Sequence, residues 1–301
     1  MSVVIPKEEE FRRQYRPRLW CKRLPENVVV NRHMEVTSEA SETNRKCIPF
    51  ESDVSYGSKK TELVDIYGKD SVPKDAPIFV YIHGGYWYMI EKNVSSYCAR
   101  PLWKNGIRVF VPDYDLAPGA TMKEMVTQIQ KMAKFVLEYA VRNGSKSVWF
   151  GGHSAGGHLS ASLLDENWLK SVDKPMRDVF KGLILISGIY DLIPILRTEF
   201  NDYTKMSYED AVENSPVTKV TDFIGKLLIN PDFKVLFVLA ENDSEAFKQQ
   251  SCQYFKLLKK VQIEAEYFLI PEVDHFDMVE NLNEESFILT KRLISLVKGL
   301  E

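Results

Sequence analysis

The chain has 301 residues, with 39 lysines and arginines against 42 aspartates and glutamates, a formal charge of −3, 45% hydrophobic and 27% charged residues. This near-neutral globular composition gives no electrostatic reason to expect nucleic acid or an anionic membrane as partner, so small molecules become the default ligands. No repeat, low-complexity tract or Gly/Ser-rich linker divides the sequence, and residues 1–301 read as one domain around one large core.

In chain order, the first 60 residues carry a heavily charged stretch from Glu8 to Arg18 and few periodic apolar positions before Val28-Val29-Val30, which predicts a cap or lid segment. Met1 to Pro6, followed by Lys7-Glu8-Glu9-Glu10, lacks the apolar h-region of a secretory signal. Cys21, Cys47, Cys98 and Cys252 form no CxxC pair and read as reduced thiols, so a cytosolic protein is expected. The uncharged run Ser147–Leu164 is interrupted by glycine, serine and histidine and cannot be a membrane span.

From about Leu63 onward, short β-branched and aromatic runs alternate with helical patterns, which predicts a mostly parallel sheet with helices on both faces. The strand candidates are Ile78–Ile82, Arg108–Val111, Ser147–Phe150, Leu183–Ser187, Lys234–Ala240 and Glu264–Ile270. Apolar residues from Met122 to Ala140 recur at helical spacing and Asn143-Gly144 stops that helix; a last helix spans Glu285 to Val297. Residues Ile189 to Lys226 are too long for a simple crossover and predict a second cap element.

The strongest chemical signal is Gly152-His153-Ser154-Ala155-Gly156, a Gly-x-Ser-x-Gly pattern between an apolar strand and a helix. Such a turn is too tight for flanking side chains and leaves the Ser154 hydroxyl at the sheet edge. A second signal, His83-Gly84-Gly85-Tyr86-Trp87, follows the strand Ile78–Ile82 and has the form of an oxyanion loop. Its donors would be the N–H groups of Gly85, Tyr86 and Ala155, with Gly84 permitting the turn and His83 structural. A serine nucleophile needs a base. Of five histidines, His33 lies in the N-terminal region, His83 in the oxyanion loop, and His153 and His158 flank the nucleophile; His275, just after a strand, remains. The acid should leave a strand end between the two, which selects Asp243, with Glu241, Glu245 and Asp191 as weaker candidates. No HExxH, clustered Cys/His set or phosphate loop occurs, so no metal and no cofactor is expected.

Together with Val111-Pro112-Asp113-Tyr114-Asp115-Leu116-Ala117-Pro118 and Ser187-Gly188-Ile189-Tyr190-Asp191, these motifs resemble the hormone-sensitive-lipase-like α/β-hydrolases. Within them, the HGG-x-W form of His83–Trp87 is similar to the arylformamidases (kynurenine formamidases) of insect type; the likeness runs from about Leu63 to the C-terminus. Asp115 departs from the arginine frequent in esterase relatives. The resemblance implies an α/β-hydrolase fold and hydrolysis of N-formyl-L-kynurenine to L-kynurenine and formate by a Ser154–Asp243–His275 triad. A planar aryl ketone needs a flat apolar slot, for which Tyr86, Trp87, Tyr190, Phe200 and Tyr203 are the candidate walls. Alternatives are a general carboxylesterase with the same triad or a catalytically silent binding module. The oligomeric state is open, a homodimer included.

Overall fold

The computed structural model describes residues 7–227 and 232–300. Eight strands form one sheet: β1 (Phe50–Ser55), β2 (Leu63–Tyr67), β3 (Ile78–Ile82), β4 (Arg108–Pro112), β5 (Val148–His153), β6 (Phe180–Ile186), β7 (Lys234–Ala240) and β8 (Glu264–Ile270), in the order β1-β2-β4-β3-β5-β6-β7-β8. From β4 to β8 neighbouring strands are parallel, while β2 pairs antiparallel with β4 and β1 antiparallel with β2. Strands β3, β4 and β5 are buried along their whole length, which is why they read as unbroken apolar runs.

Alternation along each strand feeds two cores. One face presents Val80, Phe110, Phe150, Leu183 and Phe237 to the helix Met122–Asn143; the other presents Phe79, Val109, Trp149, Ile184 and Leu236 to the helix Ile288–Lys298. The first of these helices is closed at its start by Thr121 and Glu124 in reciprocal hydrogen bonds and at its end by Gly144 at φ +81°. Asp115, the departure noted in the sequence, takes Lys59 as its ion-pair partner at 2.9 Å and a hydrogen bond from Gln128 at 2.7 Å.

Two expectations need correction. Strands β1 and β2 escaped the sequence reading because β1 is a mostly solvent-facing edge and β2 buries the charged Asp65 in an otherwise apolar run. The N-terminal cap therefore cannot extend to residue 60: β1 belongs to the sheet, and the helix Val29–Cys47 packs beside residues 92–97 through Asn44 and Ser41. Residues before it do cross the C-terminal ends of the strands. Tyr86 donates its hydroxyl to the Tyr15 carbonyl, Ser244 donates to the Gln14 carbonyl, and Arg16 pairs with Glu199. Residues 189–226 form short helical pieces over the same edge, including Ile193–Arg197, Asn201–Thr204 and Tyr208–Glu213.

Candidate active site

Because β3, β5, β6, β7 and β8 run parallel, the residues that follow them collect at one edge: His83, Ser154, Ser187, Asp243 and His275. Ser154 stands between β5 and the helix Ala155–Ala161 at φ +56° and ψ −115°, a backbone conformation that costs about 1–3 kcal/mol for a residue with a side chain. Its N–H still reaches the Ile186 carbonyl at 2.9 Å, so the strained residue is anchored to the sheet. A side chain at Gly156 would collide with the carbonyl oxygens of Ile82 and His83. Glycine there lets the Ser154 turn lie directly on the end of β3.

The loop after β3 consequently lies against Ser154: a Cβ on Gly84 would stand 3.3 Å from the Ser154 Cβ. Gly85, Tyr86 and Trp87 follow at φ +99°, +49° and +62°. The Gly85 carbonyl accepts the N–H groups of Tyr88 and Met89 at 3.1 and 3.0 Å. Among the described residues, the N–H groups of Gly85, Tyr86 and Ala155 meet no protein acceptor, which leaves them available to an oxyanion.

Two of the histidines around the turn are held by contacts within the fold. His158 accepts the Trp87 indole N–H on Nδ1 at 3.1 Å and donates from Nε2 to the Asn214 carbonyl at 2.8 Å. His83 donates from Nδ1 to the Gly84 carbonyl at 3.0 Å and stacks on Tyr114 at 4.4 Å. Burial pushes both down to about 4, and burial with the neighbouring His275 holds His153 well below the ordinary histidine range. His33 is buried in the helix Val29–Cys47, with Nδ1 2.9 Å from Glu280.

His275 is the histidine whose carboxylate partner stands at this sheet edge. Its Nδ1 lies 2.8 Å from Asp243 Oδ1, both side chains are almost fully buried, and its ring is 4.4 Å from that of His153 beside Ser154. Asp243 Oδ2 accepts the Ala240 N–H at 3.0 Å and the Ser187 hydroxyl. Of the weaker acid candidates, Glu241 binds the Glu272 N–H, Asp191 the Ile193 N–H, and Glu245 starts the helix Glu245–Lys260. None of these contacts involves His275.

The loop carrying His275 is held from outside by the N-terminal segment. Arg23 reaches Asp274 Oδ2 at 2.9 Å and Glu280 at 2.9 Å, and Cys21 donates to the same Asp274 oxygen at 2.9 Å. Burial alone would raise the Asp274 carboxyl, but Cys21, the N–H groups of Asp277 and Phe276, and Arg23 outweigh it and hold the group below the usual range. Sequence reasoning missed Ser187, Cys21 and Arg23. These contacts join strand ends or segments far apart in the chain, and no local spacing announces them.

The five candidate slot residues divide. Trp87 and Tyr190 are corrected to core: both are fully buried, Trp87 spending its indole N–H on His158 and Tyr190 stacking on Tyr254 at 4.9 Å. Tyr86 and Phe200 stack on one another, rings parallel and 3.6 Å apart, and Tyr203 stacks on Tyr88 at 4.1 Å with 46% of its surface exposed.

This edge, with its strained serine, glycine loop and paired acid and histidine, is that of an α/β hydrolase, and the chain belongs to the α/β-hydrolase fold family, which matches residues 79–278. In structure it is similar to a putative thioesterase from Silicibacter sp. TM1040, with a TM-score of 0.69, 24% identity, and 89% of this chain and 92% of that one covered. Within the family it falls among the kynurenine formamidases: it is 34% identical to that of Danio rerio over 96% of both chains, and 30% identical to that of Drosophila melanogaster over 75% of this chain and 74% of the other.

Proposed function

We propose that this chain hydrolyses the formamide of N-formyl-L-kynurenine, releasing L-kynurenine and formate. The observation that carries the reading is the buried His275–Asp243 hydrogen bond at the sheet edge that also bears Ser154, in a chain that belongs to the kynurenine formamidases. With Nδ1 committed to Asp243, Nε2 is the nitrogen left to take the Ser154 proton as Oγ attacks the formyl carbon. The resulting oxyanion accepts the N–H groups of Gly85, Tyr86 and Ala155 in a site where fixed dipoles act at low dielectric. The C–N bond then breaks, and His275 hands its proton to the aniline nitrogen. Water, deprotonated by His275, attacks the formyl-serine ester, and formate leaves as Ser154 recovers its proton.

The parallel Tyr86–Phe200 pair serves as one wall of the aryl slot. Its 3.6 Å spacing admits no third ring, so the substrate aryl group lies along the outer face or edge of the pair. Tyr203 belongs to the outer rim. No metal or organic cofactor takes part in these steps, and turnover is expected to survive EDTA. The four cysteines are free thiols, which supports a cytosolic setting, and the enzyme would act on its small substrate as a monomer or homodimer without nucleic acid or membrane. Among the described residues no helix is long and apolar enough to cross a membrane.

The test is turnover of N-formyl-L-kynurenine by the purified protein, followed by kynurenine absorbance. Ser154→Ala should abolish both turnover and labelling by a fluorophosphonate. A kcat/KM for formylkynurenine no better than for short p-nitrophenyl esters would replace the formamidase reading with a general carboxylesterase, and native protein left unlabelled would favour a silent module.

A further inference from the structure

We infer that Ser187 is a positioning residue of this site, acting through Asp243; the inference rests on the triad reading above. Ser187 follows β6 as Ser154 follows β5. Its N–H continues the ladder to the Val238 carbonyl at 2.8 Å, after which the backbone turns to φ +44°. The side chain is fully buried, and its hydroxyl donates to Asp243 Oδ2.

A left-handed turn at this place is better served by glycine, which adopts positive φ without a Cβ penalty. Serine is disfavoured there, and what it adds is one hydroxyl aimed at the acid. That hydroxyl and the Ala240 N–H occupy Oδ2, leaving Oδ1 as the oxygen that meets His275 Nδ1 at 2.8 Å. The carboxylate is thereby locked in rotation, and part of its charge is spread over two further donors. Both effects act on His275. Orientation fixes which imidazole nitrogen faces the nucleophile, and charge sharing limits how strongly Asp243 favours the imidazolium over the neutral base. The other titratable groups near this ring, His153 at 4.4 Å between ring centres and the Asp274–Arg23 pair in the neighbouring loop, do not contact Ser187.

The experiment compares Ser187→Ala and Ser187→Gly with the native enzyme. Glycine removes the hydroxyl while relieving the backbone, so it keeps the comparison valid if the alanine variant folds poorly. Three readouts are used: steady-state kinetics with N-formylkynurenine and with p-nitrophenyl acetate, the rate of Ser154 labelling by a fluorophosphonate, and the pH profile of kcat/KM. In both variants kcat should fall about tenfold to a hundredfold, the equivalent of one charge-assisted hydrogen bond, with KM little changed. The acid limb should move to higher pH as charge concentrates on Asp243, and the labelling rate should fall in parallel. In an Asp243→Asn background, removing the hydroxyl should have little further effect. A folded Ser187→Gly enzyme with native kcat, labelling rate and pH profile overturns the inference. If native protein is labelled and cleaves the ester but not formylkynurenine, the substrate reading fails while the labelling rates still decide the role of Ser187.

Discussion

Trp87 donates its indole N–H to His158 Nδ1 at 3.1 Å, which ties the glycine loop after β3 to the helix that begins just after Ser154. His158 passes the constraint on to the cap through the Asn214 carbonyl. Trp87→Phe keeps most of the buried volume but leaves Nδ1 without a donor, at a cost of about 1–3 kcal/mol. Urea unfolding should show that loss, and kcat should fall with it because the donors of Gly85 and Tyr86 lose their reference point. Native stability in the variant would show that the hydrogen bond contributes nothing.

Asp243→Asn should leave the fold intact and reduce kcat by about 10³- to 10⁴-fold, since an amide that donates toward His275 favours the wrong tautomer. KM for the substrate should change little. Steady-state kinetics checks this, and a loss below tenfold would point to one of the other loop acids.

Arg23 neutralises a cluster of carboxylates, Asp274, Asp277 and Glu280. In Arg23→Ala these face one another without their cation, with a penalty of about 1–2 kcal/mol after screening of the partly exposed guanidinium. Because Asp274 precedes His275, kcat should drop along with thermal stability, and Arg23→Lys should restore part of both. Unchanged kinetics in Arg23→Ala would separate the N-terminal segment from the chemistry.

The buried neutral histidines also set a pH dependence of stability. His83 and His158 are held at about 4 by burial, below the ordinary 6.5. An unfolded chain therefore binds more protons than the folded one between these values. Their contribution is complete above pH 6.5 and is lost as pH falls toward 4, at about 1.4 kcal/mol per pH unit for each histidine. Unfolding free energies at pH 7, 6 and 5 should fall accordingly, and His158→Gln should flatten the slope by one histidine's share. Parallel slopes in the two proteins would contradict the assignment.

Strands β3 and β7 lie where the apolar runs place them, because buried parallel strands leave an uninterrupted signature, while β8, a mostly exposed edge, is marked by the shorter run Tyr267–Ile270. β1 and β2 left none, since an edge strand and a strand with a buried aspartate break the pattern on which such readings depend. The serine and glycine motifs were legible because their geometry is local: a turn that excludes side chains must be written in glycine. Trp87 and Tyr190 were read as slot walls because aromaticity alone does not tell a lining from a core; only the hydrogen bond to His158 and the stack on Tyr254 decide it. Ser187 was invisible for another reason. Its partner lies across a strand pairing, and neither residue type nor neighbours in sequence mark it.

The Arg23–Asp274 contact spans 251 positions of sequence, and Ser244 reaches Gln14 across 230. On a ribosome, a chain that has emerged through Asp243 holds the proposed nucleophile, the glycine loop after β3 and the proposed acid, but neither His275 nor the carboxylates that pair with Arg23. Such a nascent chain carries a strained serine it cannot activate. On the triad proposed above, hydrolysis starts only when β8 and its following loop have joined the sheet, so appearance of activity reports completion of folding and not merely formation of the core. Refolding followed by far-ultraviolet circular dichroism should run ahead of refolding followed by turnover.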